Sequence, residues 1–324
     1  MPGARVDLTG TDLPLPADRP PRVFVGGLEA RVVAASAGRI TFIVPADATG
    51  AVAVRLDDEP GLAVVLEVGR NLARDVHQVD SPLFDRSGRL YVTQSGSRDN
   101  RAPVPLHRVT PTGVREPLAV DIANPTSLAL GPDGLVYVSS RFDGRVFRLT
   151  GDDRAELYAS DLGVATGLAF APDGTLFVGD RSGNILRVSP TLRVDTFATL
   201  PPSVAAFHLT FGPDNCLYVT APTLATHDPV YRITPDRLVD VVCDGFGRPQ
   251  GLAFDAAGRL YVADALAGAA GLYRVDVQAA RPRPELVVRA PSLVGVAFNA
   301  AGDMVLATND AIWSMSSSNF EARS

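Results

Sequence analysis

The sequence predicts an all-β protein: a six-bladed β-propeller preceded by a small β-sandwich. Three observations carry this reading. A block made of a short apolar strand, a Pro-Asp-Gly-type turn and a Leu-Tyr-Val-like strand recurs six times. Two further short strands follow each copy before the next begins. Residues 1–70 fall outside the repeat but are themselves rich in strand patterns.

The copies begin at Ser81, Thr126, Thr166, His208, Gln250 and Val294, and their equivalent second-strand positions are Tyr91, Tyr137, Phe177, Tyr218, Tyr261 and Val305. These positions are 46, 40, 41, 43 and 44 residues apart. Four short strands per unit of about 40 residues is the signature of a propeller blade. Third strands read PLHRVT, RVFRLT, NILRVS, VYRIT, GLYRVD and AIWSMS; the fourth strands of the first five copies read EPLAV, ELYAS, DTFAT, VDVVC and ELVVR. Gly, Asp and Pro fill the turns.

The sixth copy runs out after its third strand, near Ser316. A ring left open there would expose strand edges, which proteins avoid. Residues 71–79, NLARDVHQV, precede the first copy and read as the missing fourth strand, closing the ring against Ala311–Ser316. The tail SSNFEARS reads as frayed. Upstream, RVDLTG, RVFVGG, EARVVAAS, RITFIVP and AVAVRL are five strand candidates. The expected organisation is a domain over 1–70 and a propeller over 71–324. The two are expected to be separable at Val68–Leu72, with the sandwich packed on the ring across that short linker.

The chain has 324 residues, a net charge of −6 and a pI near 5.3. No basic stripe is present, which argues against nucleic acid and anionic membrane surfaces as partners. The N-terminal stretch MPGARVDLTG has no signal-peptide pattern, and no run of 18 apolar residues occurs. Cys216 and Cys243 are too few for a disulfide framework or a zinc site and read as reduced packing residues. Together these features point to a cytoplasmic protein.

Propeller connectivity sorts the loops onto two faces. The tight GPDG, APDG and GPDN turns, starting at Gly131, Ala171 and Gly212, fall on one face and read as turn chemistry. The other face collects the starts of first strands and the ends of second strands. Its loops vary in length, as a binding face should: TQSGSRDNRAPVP, TAPTLATHDP and ADALAGAAG are long, while SSRFDG and GDRSG are short. Asp80, Thr126, Thr166, Phe207, Gln250 and Val294 are predicted at the channel mouth, with His208 beside Phe207. Arg141 and Asp143, with Asp180 and Arg181, occupy equivalent loops. They read either as ion pairs holding adjacent loops in register or as arginines that recognise a carboxylate or phosphate. Arg98, Asp99, Asn100 and Arg101 add charge from the first copy. His227-Asp228 reads as a loop-stabilising turn or a His–Asp pair without a nucleophile; His77 and His107 read as structural. No Ser-x-Gly elbow, P-loop or dinucleotide fingerprint occurs.

Two resemblances go further. Gly10-Thr11-Asp12-Leu13, Val25-Gly26-Gly27, Val32 to Ser36, and Ile40-Thr41 through Val44-Pro45 to Gly50 make the first segment resemble an IPT/TIG domain, an immunoglobulin-like β-sandwich. That family's Pro-Gly-rich lead-in is reduced here to Met1-Pro2-Gly3, as it would be if the start site were late and a leader lay upstream. The repeat, clearest from Pro249 to Asp264, resembles both NHL repeats and the senescence-marker-protein/gluconolactonase (regucalcin-like) group, whose members are metal-dependent lactone hydrolases. That second resemblance implies a divalent cation (calcium, zinc or manganese) held at strand starts by a Glu, Asn residues and an Asp that acts as base. Asp80 stands where the glutamate would be. Thr126 and Thr166 stand where Asn is expected, and Gln250 where Asn or Asp is. One carboxylate with neutral oxygens is a thin donor set for such an ion, and the base has no clear occupant. The leading expectation is therefore a propeller that binds a small molecule or protein at the mouth through Asp80, Thr126, Arg141, Thr166, Arg181, His208, Gln250 and Asp264. The alternative is a lactone hydrolase with a degenerate metal site at Asp80, drawing on Gln250 and Asp264.

Overall fold

The structure, a computed structural model, describes residues 1–56, 63–96, 100–266 and 269–316. Arg98, Asp99, two residues of the ADALAGAAG loop and the SSNFEARS tail lie outside the described residues. The described chain is all-β, with no helix.

Seven strands precede the repeats: β1 (Arg5–Thr9), β2 (Val23–Val25), β3 (Leu28–Ser36), β4 (Arg39–Ile43), β5 (Gly50–Leu56), β6 (Ala63–Val68) and β7 (Arg70–Arg74). The first six form one sheet in the order β1-β4-β3-β2-β5-β6. The start of β3 pairs with β2 and the remainder with β4, so this one strand joins two halves. Five of these strands match the sequence expectation, and β6 was missed. It is a sheet edge on which Val64 and Val65 are 51% and 61% exposed, so its burial does not follow the alternation used to recognise strands.

The rest of the described chain folds, with β7, into six four-stranded antiparallel sheets. Their first strands are Leu83–Phe84, Pro125–Leu130, Ala165–Phe170, His208–Phe211, Pro249–Phe254 and Leu293–Phe298. These strands neighbour one another in cyclic order, the sixth returning to the first, which is the arrangement of a β-propeller. In the sixth sheet the fourth strand is β7, with Ala311 opposite Arg74 and Ser314 opposite Arg70. It is shorter than the 71–79 read from sequence. Asp75 adopts a φ of 57°, which ends the extended run, and His77 instead forms an isolated bridge with Gln94.

The packing explains the repeat. The second-strand aromatic of one sheet meets the first-strand Phe of the next edge to face or tilted: Tyr137 with Phe170, Phe177 with Phe211, Tyr218 with Phe254, and Tyr261 with Phe298. Each such pair contributes about 0.5–1.5 kcal/mol beyond burial. The turn aspartate then caps the tyrosine: Tyr137 Oη donates to Asp133 and Tyr218 Oη to Asp214 at 2.9 and 3.0 Å. Hydroxyls stitch the inner strands together. Ser127 accepts from Leu168 N, Thr166 from Phe207 N and Ser81 from Val296 N. The apolar core of the N-terminal sheet is continuous with that of the fifth and sixth sheets, running from Phe42 and Val54 to Val288, Trp313 and Met315.

Candidate functional site

In five of the six sheets the start of the first strand lies opposite the end of the second: Pro125 faces Ser140, Ala165 faces Asp180, His208 faces Thr220, Pro249 faces Asp264 and Leu293 faces Thr308. In the second, third, fifth and sixth sheets the register shifts just after that first pair, so Thr126, Thr166, Gln250 and Val294 sit within bulges. Bulges re-aim side chains and recur beside functional sites. The eight predicted residues therefore share one end of the ring, but the structure uses them in different ways.

Asp80 and His208 meet. His208 Nδ1 donates to Asp80 Oδ1 at 2.7 Å, and Ser81 N donates to the same oxygen at 2.6 Å. The two residues lie 128 positions apart: Asp80 stands just ahead of the first sheet, and His208 opens the first strand of the fourth. His208 is completely buried, and its Nε2 has no partner among the described residues. A carboxylate on Nδ1 orients an imidazole as in acid–base catalysis. Here, however, Nε2 is shielded from solvent and no Ser, Thr or Cys bonds to it. The pair ties the two strand starts together and presents no nucleophile.

Thr166 is spent on structure: its hydroxyl donates to Gly179 O and accepts from Phe207 N. Thr126 is completely buried, with its hydroxyl 3.4 Å from Asn124 O. The Gln250 carbonyl accepts from Thr220 Oγ1. Asp264 accepts the backbone N–H groups of Gly247, Arg248 and Leu266 and so clamps its own loop. Asp228 does the same with the N–H and hydroxyl of Thr223, while His227 is exposed. Asp264, and Asp80 through its Oδ1, are thus already engaged in hydrogen bonds. Among the described residues, no three His, Cys, Asp or Glu side chains converge to hold a metal ion. The residues present do not fit the cation that the lactonase resemblance implies.

The expected ion pairs among Arg141, Asp143, Asp180 and Arg181 do not form. Asp143 accepts from Ser140 Oγ, and Asp180 from Val164 N and Ser182 Oγ. Those nearby donors outcompete the arginines, which reach main-chain carbonyls instead: Arg141 Nη2 donates to Gly96 O at 2.9 Å and Arg181 Nη2 to Val204 O at 2.8 Å. Arg141 also stacks on Phe142 at 4.7 Å. Burial, and next the Arg181 charge, push its guanidinium below the usual arginine range.

Sequence reasoning missed three neighbours. Gln78 gives its Oε1 to Thr93, leaving Nε2 without a partner. Ser95 Oγ and Asn124 Oδ1 are also buried without partners. Gly96 lies against Asn124, where a Cβ would fall 2.9 Å from Oδ1 and 2.1 Å from Asn100 O, so only glycine fits. The polar residues in HQVDSP and IANPT, just ahead of first strands, were the available signal. In all, eleven buried polar atoms lack a partner among the described residues. Six of them, on Gln78, Ser95, Asn124, Arg141, Arg181 and His208, lie at this end of the ring, and the other five are on third or fourth strands.

Two clefts, of about 630 and 550 Å3, lie elsewhere, along the seam between the N-terminal sheet and the ring. The first runs between the free edges of β1 and β6, and within it Arg274 pairs with Glu285 and Arg289 with Asp7. None of the eleven atoms belongs to a residue lining either cleft.

Comparison with solved structures shows the fold. A gluconolactonase from Xanthomonas campestris superposes with a TM-score of 0.63 at 16% identity, covering 96% of this chain and 99% of its own. An auxiliary nutrient binding protein from Bacteroides thetaiotaomicron gives 0.60 at 13%, covering 97% and 94%. Virginiamycin B lyase from Staphylococcus aureus gives 0.54 at 14%, covering 96% and 98%. No protein-family model and no curated protein sequence matches the chain. The class defined by the ring and these likenesses is the β-propeller, in the company of gluconolactonase-like and lyase propellers. At such identities the likeness is one of fold.

Proposed function

We propose that this chain is a binding module: a six-bladed propeller of NHL-like repeats, carrying an IPT/TIG-type immunoglobulin-like sandwich over residues 1–70, which holds a small molecule or protein at the channel mouth. The observation that carries this reading is the concentration of partnerless buried polar atoms at one end of the ring. Each such group costs about 1–3 kcal/mol if nothing satisfies it, so six together weigh heavily against a typical stability of about 5–15 kcal/mol. Native proteins satisfy nearly all buried polar groups, and exceptions call for a functional explanation. The nutrient-binding neighbour, whose likeness extends over both parts of this chain, supports the same reading. The net charge of −6 disfavours nucleic acid and anionic membranes. The buried free thiols of Cys216 and Cys243 fit a reducing cytoplasm.

The gluconolactonase neighbour raises metal-assisted lactone hydrolysis as the rival. The committed carboxylates of Asp80 and Asp264 weigh against it. The test is metal content after purification without chelator, alongside hydrolysis of a sugar lactone with calcium, zinc or manganese added. The expected result is no stoichiometric metal and no turnover. Hydrolysis that disappears on chelation and returns with one of these ions would overturn the proposal.

A further inference from the structure

We infer that Arg141 and Arg181 together form a receptor for an oxyanion, a carboxylate or phosphate carried by a small molecule. This deepens the mouth-binding reading and rests on it. Four arginines in the described chain have a buried Nε without a hydrogen bond: Arg108, Arg141, Arg181 and Arg232. Two of them lie on third strands and are neutralised. Arg108 pairs with Asp152 at 2.8 Å and Glu116 at 3.2 Å, and Arg232 pairs with Asp240 at 3.1 Å. The other two directly follow the second strands of adjacent sheets at the mouth, and among the described residues no carboxylate pairs with either. A half-buried guanidinium ordinarily brings its own counter-charge, because an uncompensated buried charge costs several kcal/mol by order of magnitude.

The nearest acidic residues in sequence are turned to other work, Asp143 onto Ser140 and Asp180 onto Val164 N and Ser182. Both arginines are nevertheless held in place. Each donates one Nη2–H to a main-chain carbonyl of a neighbouring loop, and Arg141 is also stacked on Phe142. Among the described residues neither Nε nor Nη1 of either side chain makes a hydrogen bond, and Nε of both is buried. Two held, planar, like-charged groups at equivalent positions of adjacent sheets repel one another when alone and gain by sharing an anion. The guanidinium fork matches the oxygen spacing of carboxylate and phosphate. In a chain of net charge −6, such an unneutralised cationic pair is a local feature that ordinary surface solvation does not require.

Isothermal titration calorimetry at low ionic strength tests this, with inorganic phosphate, succinate and the neutral isostere succinamide as probes. Phosphate or succinate is expected to bind with one-to-one stoichiometry while succinamide does not, and the stronger of the two identifies the oxyanion. Arg141→Ala or Arg181→Ala should weaken binding about tenfold or more, with raised salt acting in the same direction. Arg141→Lys and Arg181→Lys keep the charge without the fork and should fall between, which separates recognition from loss of folding. The inference is overturned if neither anion binds, or if binding is unchanged in the doubly substituted Arg141→Ala, Arg181→Ala protein. Succinamide binding as well as succinate, indifferent to both arginines but lost in Asn124→Ala, would remove the anion assignment and leave the mouth reading standing. Anion binding that survives the double substitution and Asn124→Ala alike would remove both.

Discussion

Asp80 is the residue on which the two functional readings diverge most sharply. As a metal ligand it would be dispensable for folding in metal-free buffer. As found, it is buried and bonded to a completely buried histidine from the far side of the ring. Asp80→Ala should therefore destabilise the protein by about 2–3 kcal/mol, the scale of a charged hydrogen bond lost with its partner orphaned. An unchanged melting temperature without metal would contradict this. His107 makes a second residue-level prediction. Burial, and next the Arg115 charge, hold its pKa below the ordinary histidine value of 6.5. The unfolded chain therefore takes up a proton that the folded chain resists, and stability falls as pH drops through about 6.5. Between about pH 7.5 and about pH 5.5, His107→Gln should lose less melting temperature than the unsubstituted protein. Identical losses would refute the assignment. The sequence offered both residues as polar positions, but a partner 128 positions away leaves no local trace.

The closing strand decides whether the ring holds. β7 pairs with Ala311–Ser314, a strand that carries the buried Ile312 and Trp313. A chain beginning at Asp75 lacks β7, leaves that edge unpaired and should aggregate or unfold without cooperativity. A chain beginning at Leu66 keeps β7 but strips β1–β5 from Val288, Trp313 and Met315. It should fold, with a lower melting temperature and stronger binding of an apolar dye. Denaturant unfolding of both chains checks this, and full-length stability in the Asp75 chain would break the closure argument. The repeats were legible because one inter-sheet aromatic contact recurs and demands the same residue type at each turn. The end of β7 was not, because aspartate tolerates a positive φ without any sequence mark. β6 escaped because an edge strand with two exposed valines does not alternate.

At the scale of the whole molecule, topology gathers polar residues from many strand ends at one mouth, and that gathering could be read from the spacing of the repeats. Which of them serve the architecture could not. Thr166 and Asp264 look like ligands in sequence and carry structural hydrogen bonds, while Gln78, Ser95 and Asn124 look like linker residues and each keep a buried polar atom without a partner among the described residues. The seam clefts offer the competing location, the first of them lined by the edge strands β1 and β6. Amide hydrogen exchange with and without saturating phosphate or succinate separates the two most directly. Binding at the mouth predicts new protection around Gln78–Ser81, Ser95–Gly96, Asn124–Thr126, Arg141, Arg181 and Val204–His208, with β1, β6 and Pro284–Arg289 unchanged. Protection confined to β1, β6 and Pro284–Arg289 would contradict the account.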